Sequence, residues 1–143
     1  MGCDIHLHIE IKINNEWHHY NHPNGLYAGT ENRRNYKLFA KMAGVRNYEP
    51  LVPICQPKGL PEDITFITRF DWSKDNYHDE SWFNLEEIRE LNEWWEEQPE
   101  FNPQNPESHF EEYFGYLFGN VHCEETLKLN NIQDVRFVFW FDN

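Results

Sequence analysis

Basic residues are scarce in this chain: 12 Lys and Arg stand against 25 Asp and Glu, a net charge of −13 over 143 residues. Affinity for a polyanion comes mainly from Lys and Arg contacts with phosphates, so long nucleic acids and anionic membranes are not expected partners. A small anion held by a few local arginines stays within reach. No apolar run approaches the length of a bilayer span, and no basic segment followed by an apolar one opens the chain, so neither a transmembrane helix nor a signal peptide is expected. The three cysteines, Cys3, Cys55 and Cys123, show no paired spacing. An odd count without an export signal reads as free thiols in a reducing cytoplasm. The Met-Gly-Cys start lacks the Ser or Thr at position six that myristoylation needs; His6 stands there instead. Also missing are a zinc Cys quartet, a Walker loop, a Rossmann glycine fingerprint and a nucleophile elbow.

Aromatic residues are plentiful. Eleven Phe, seven Tyr and six Trp make up 17% of the chain, and each ring buries a large area, so residues 1–143 can build one domain around one core. The opening stretch alternates apolar and polar residues at a period of two, the pattern of a half-buried strand. Cys3, Ile5, Leu7, Ile9, Ile11 and Ile13 share one face; Asp4, His6, His8, Glu10 and Lys12 share the other. Asn14-Asn15 favours a tight hairpin turn into a second strand over residues 16–20. Residues 21–32 read as a loop. A short helix follows over 37–43 with Gly44 as its stop. Prolines make 48–61 irregular, with a helical turn starting near Pro61, and 66–81 fits no single element. Asn84-Leu85-Glu86-Glu87 is a capping box opening a helix to about residue 97, and Ser108-His109-Phe110-Glu111 opens another, ended by Gly119. The C-terminal run 134–142 alternates again. The expected fold is α+β: a small antiparallel sheet containing both terminal strands, with helices on its apolar face.

The first strand carries the chemistry. Two histidines between two acids on one face can bind a metal or move protons, since strand neighbours on one face lie roughly 6–7 Å apart. His6 and His8 are the candidate metal ligands or acid–base pair, with Asp4 or Glu10 orienting them and His78 as a further ligand or acid; the only cofactor considered is a divalent metal ion. If the last strand pairs with the first in suitable register, Arg136, Trp140 and Asp142 join this face. His18, His19 and His22 lie on the second strand and its exit, where one can face His6 or His8. His109 and His122 read as structural. Cys3 belongs to the core phase and is a poor nucleophile candidate. Arg34, Arg46 and Arg136 are the phosphate-binding candidates, and Trp82 and Trp140 the rings for stacking on a base.

The blocks Gly2-Cys3-Asp4-Ile5-His6, Arg34-Asn35-Tyr36-Lys37-Leu38-Phe39-Ala40-Lys41-Met42-Ala43-Gly44-Val45-Arg46-Asn47, Pro57-Lys58-Gly59-Leu60-Pro61, His78-Asp79-Glu80-Ser81-Trp82-Phe83-Asn84-Leu85 and the ending 135–143 together span nearly the whole chain. In these blocks it resembles a family of small bacteriophage and prophage proteins. That resemblance implies a counter-defence role, in which proteins of this kind cleave or sequester nucleotide immune signals. The reading expected is therefore a phosphodiesterase-type hydrolase of a small nucleotide signal, such as a cyclic oligonucleotide. Its partner is a small nucleotide and, at most, a second copy of the chain. The alternatives are a protein that sequesters the nucleotide without chemistry, and an acidic structural or interaction protein.

Overall fold

A computed structural model describes residues 2–20, 34–109 and 124–143. The loop expected over 21–32 and most of the helix expected after Ser108 lie outside the described residues. Strand β1 (Asp4–Ile13) turns through Asn14 and Asn15 into β2 (Glu16–His19). Both asparagines have positive φ, 51° and 63°, the left-handed pair of a two-residue hairpin turn that Asn tolerates better than most residues. Helix α1 (Tyr36–Ala43) begins where the Asn35 side chain accepts the Leu38 N–H, and stops at Gly44, whose φ of 75° lets its N–H reach the Ala40 carbonyl. Helix α2 (Phe66–Trp72) and strand β3 (His78–Phe83) fill the stretch that sequence left unassigned. Helix α3 (Leu85–Glu96) opens on the expected capping box, with Asn84 and Glu87 bonding reciprocally. A 3-10 turn (Pro106–Ser108), helix α4 (Glu124–Leu129) and β4 (Asp134–Asp142) complete the described chain.

The strands form one antiparallel sheet in the order β2-β1-β4-β3, so the terminal strands are the two central ones. They are the most apolar alternating segments and each needs both edges paired. Their register runs without a break from Asp4 opposite Asp142 to Lys12 opposite Asp134. Ile5, Leu7, Ile9, Val135, Phe137, Phe139 and Phe141 form the main core with Leu38, Phe39 and Met42 of α1 and Ile88, Leu91 and Trp95 of α3. The expected α+β arrangement, with helices packed on the apolar face of a sheet that holds both terminal strands, is thus present in α1 and α3. Helix α2 lies on the opposite, polar face, where Trp140, Val138 and Ile64 form a second, smaller core with Tyr77, Trp72 and Trp82 around it. Among the described residues no helix is long and apolar enough to cross a membrane.

Candidate functional site at the end of the sheet

The unbroken register places Asp4, His6, His8, Glu10, Arg136, Trp140 and Asp142 on one face, as antiparallel partners point the same way. No bulge interrupts β1 between His6 and His8, but their surroundings differ sharply.

Glu10 and Arg136, opposite one another, are buried as a pair. Arg136 Nε and Nη2 donate to Glu10 Oε1 at 2.7 and 2.6 Å. Glu10 Oε2 accepts from the Thr65 N–H at 3.0 Å, the Thr65 hydroxyl at 2.5 Å and the Thr68 hydroxyl at 2.8 Å. The rest of Arg136 is held by Asp63, whose carboxyl that guanidinium holds below the usual carboxylate range, and by the Trp17 ring 4.0 Å away. With every valence occupied inside the fold, this pair docks the entry of α2 onto the sheet. It corrects two expectations: Glu10 has no carboxylate oxygen left for a metal, and Arg136 is committed to two acids rather than presented to a phosphate.

His8 is buried between Asp71 of α2 and His19 of β2. A carboxylate can only accept, so His8 Nε2–H donates to Asp71 Oδ2 at 2.7 Å. In neutral His8, Nδ1 then carries the lone pair and accepts from His19 Nε2–H at 2.8 Å. The His8 bond holds the Asp71 carboxyl below the ordinary carboxylate range, with Lys74 adding to the effect. Of the two histidines of β2, His19 is thus the one that meets His8, while His18 lies by Glu16; His22 lies outside the described residues. His8 is a relay and anchor beneath α2, removed from solvent.

His6 is different. It sits nearer the strand end, where α2 does not reach, and its side chain keeps 21% of its exposure beside Asp142 at 33%. Its Nε2–H donates to Asp142 Oδ2 at 2.5 Å, which leaves the lone pair of the neutral ring on Nδ1. The ring lies parallel to Trp140 at 6.3 Å and against Tyr77 at 4.9 Å, so it is fixed in orientation. Asp142 Oδ1 also accepts the Asp4 backbone N–H at 3.4 Å. Asp4 in turn takes Arg34 in a two-pronged pair, Nε at 2.6 Å and Nη2 at 3.1 Å, which holds its carboxyl low. A Cβ on Gly2 would overlap the Arg34 guanidinium, so only glycine lets that group settle against the chain.

The other candidates are dispersed. His78 pairs with Phe141 in register and lies over its ring, which puts it on the apolar side of the sheet from His6, with Asp79 on its Nδ1 at 2.6 Å. The set His6, His8, Glu10 and His78 is therefore not assembled, and among the described residues no three His, Cys, Asp or Glu side chains converge on a metal position. Trp140 is fully enclosed between His6 and His8 and presents no face to a base. Lys58 Nζ covers the Trp82 ring at 3.9 Å. Arg46 lies by Tyr36 and Tyr48, close enough to the Cys3 thiol to act on it electrostatically, although burial outweighs this and pushes the thiol upward. Cys55 is pushed up to about 11 by burial and Glu87, so neither described thiol is an activated nucleophile.

Asp71, Tyr77 and the orienting role of Asp142 were not assigned from sequence, whereas His19 is one of the three histidines expected to be able to face His6 or His8. The signal for Asp142 was its place opposite Asp4; for Asp71 it was hidden in a helix whose polar residues face inward. No protein-family model, curated protein or solved structure matches the chain.

Proposed function

We propose that this chain is a hydrolase of a phosphodiester in a small nucleotide, with the His6–Asp142 pair as its acid–base centre. The observation that carries the reading is a partly exposed imidazole, fixed by a carboxylate at 2.5 Å, on the polar face of the sheet. His6 Nδ1 takes the proton of the attacking water as its oxygen bonds to phosphorus. The bond from phosphorus to the leaving oxygen breaks, and that oxygen takes a proton from the imidazolium. Asp142 stabilises the imidazolium and keeps its tautomer, the role a buried acid plays toward a catalytic histidine. Arg34, bonded to Asp4 through Nε and Nη2, brings its guanidinium charge to this end of the sheet for a phosphate oxygen.

The surroundings support an anionic substrate despite the net charge of −13. Residues 34–46 hold Arg34, Lys37, Lys41 and Arg46 and no acid. This basic segment begins beside Asp4 and brings positive charge to a sheet end that also carries Asp142. The resemblance to small phage proteins, a kind that includes factors acting on nucleotide immune signals, points to the same substrate class.

The test is incubation with a panel of cyclic dinucleotides and oligonucleotides, followed by chromatography, for the wild type and His6→Ala. Cleavage by the wild type and loss of cleavage in a folded His6→Ala supports the reading. Intact nucleotide recovered from the protein only after heat denaturation would replace it with sequestration.

A further inference from the structure

A cleft of about 70 Å³ opens on the α1 side of the sheet, lined by Tyr36, Lys37, Ala40, Arg46, Tyr48, Glu49 and Leu51. Its walls are two tyrosine rings set edge to face at 6.4 Å, with the Arg46 guanidinium 5.5 Å above the Tyr36 ring and its Nη1 donating to the Tyr48 hydroxyl at 3.2 Å. Arg46 reaches this position from a backbone φ of 53°, the left-handed region that a branched-off long side chain seldom occupies, two residues after the Gly44 cap. Tyr48 is 71% exposed. An exposed ring held against a guanidinium over a small hollow is a stacking platform, since aromatic and guanidinium planes both accept a flat ring. The volume is far below the roughly 300–1,000 Å³ of a pocket that encloses a whole ligand, so it takes one flat ring and leaves the rest outside.

The rest would lie toward the strand end at Asp4 and Arg34. The Tyr36 hydroxyl accepts the Cys3 backbone N–H at 3.1 Å, and Cys3 adjoins Asp4 with its Arg34 partner. The cleft therefore lies at the same end of the sheet as the His6–Asp142 pair but on the opposite, α1-covered side, with Arg34 before α1 and Arg46 after it. We infer that the Tyr36–Arg46–Tyr48 cleft is the nucleobase subsite of this protein, holding a base by stacking while the attached phosphate reaches Arg34 at the sheet end. The inference rests on the proposed nucleotide hydrolysis for its ligand class and stands on the cleft for its residues. Recognition by stacking predicts tolerance among bases.

Binding of adenosine 5′-monophosphate, with ribose 5-phosphate as the base-free probe, tests it by calorimetry and by the tyrosine ring resonances in NMR. The wild type should bind the mononucleotide at least about tenfold more tightly than ribose 5-phosphate, with shifts at Tyr36 and Tyr48. Tyr48→Ala, with its melting temperature unchanged, should weaken mononucleotide binding about tenfold, and Tyr48→Phe, which keeps the ring, should stay within about threefold of the wild type. Equal binding of the two probes, no binding at millimolar mononucleotide, or unchanged affinity in Tyr48→Ala would each overturn the subsite. Cleavage of a cyclic dinucleotide, measured separately, decides the other claim. Turnover without binding in the cleft removes the subsite alone, and binding in the cleft without turnover removes the acid–base reading alone.

Discussion

His6 and Glu10 lie on the same face of the same strand, four residues apart, and they do opposite things. Glu10 is sealed beneath α2 with both oxygens bonded to Arg136, Thr65 and Thr68. His8, between the two, is sealed by Asp71 and His19. His6 keeps part of its surface open and has one strong partner, Asp142. The strand alternation makes the four polar residues equivalent; the helix laid across them does not. Coverage, rather than residue type, divides this row into a structural half and a chemically available half.

The largest effect should come from the covered half. Glu10→Ala leaves the Arg136 guanidinium buried with only Asp63 as acid partner, and a broken buried pair costs about 3–5 kcal/mol, so thermal or urea unfolding should show a severe loss. If Glu10→Ala melts like the wild type, the docking role of the pair is wrong. Next is Leu7→Ala. Leu7 is fully enclosed in the main core, and this large-to-small change should cost about 2–5 kcal/mol. Its neighbour His6→Ala should stay within about 1 kcal/mol of the wild type, because one partly exposed hydrogen bond is lost and no core volume.

A subtler difference lies in pH. His8 holds the Asp71 carboxyl below its ordinary range, so the folded value is below the unfolded one. The stability this contributes is complete above the unfolded carboxylate pKa and is lost as pH falls through the folded value. Asp71→Asn should therefore be less stable than the wild type at neutral pH, and the gap should narrow in acid; a gap independent of pH would count against an ionised Asp71 beneath the sheet. The smallest stability effect belongs to the open end. Gly2→Ala must displace the Arg34 guanidinium and loosen its pair with Asp4, an exposed contact worth about 0–1 kcal/mol. Melting should barely change, whereas nucleotide cleavage should fall if Arg34 holds phosphate.

The legible parts of the molecule were those where local pattern and fold agree. Alternation set the phase of β1 and β4, the paired asparagines set the hairpin, and Gly44 and the Asn84 box set the helix ends. The pairing of β1 with β4 followed from their shared need for cover. Helix α2 was not legible because its pattern is inverted: Phe66 and Phe70 face outward, while Thr68 and Asp71 face the sheet. A reader of hydrophobic periodicity looks for the reverse. Strand β3 was hidden by the irregularity between His78 and Ser81, where Asp79 takes a φ of 54° and the alternation is lost. The candidate site suffered from the same gap. Without α2, nothing separates His6 from His8 or marks Arg136 as a structural cation, so the polar face looked like one site instead of a covered and an open half.

The most direct test of that division is cleavage of a cyclic dinucleotide by wild type and His6→Ala at matched melting temperature, with and without EDTA. The account predicts turnover by the wild type, unchanged by chelation, and a loss of about 10²-fold or more in a fully folded His6→Ala, the scale of a general acid–base group. Undiminished cleavage by folded His6→Ala would contradict it.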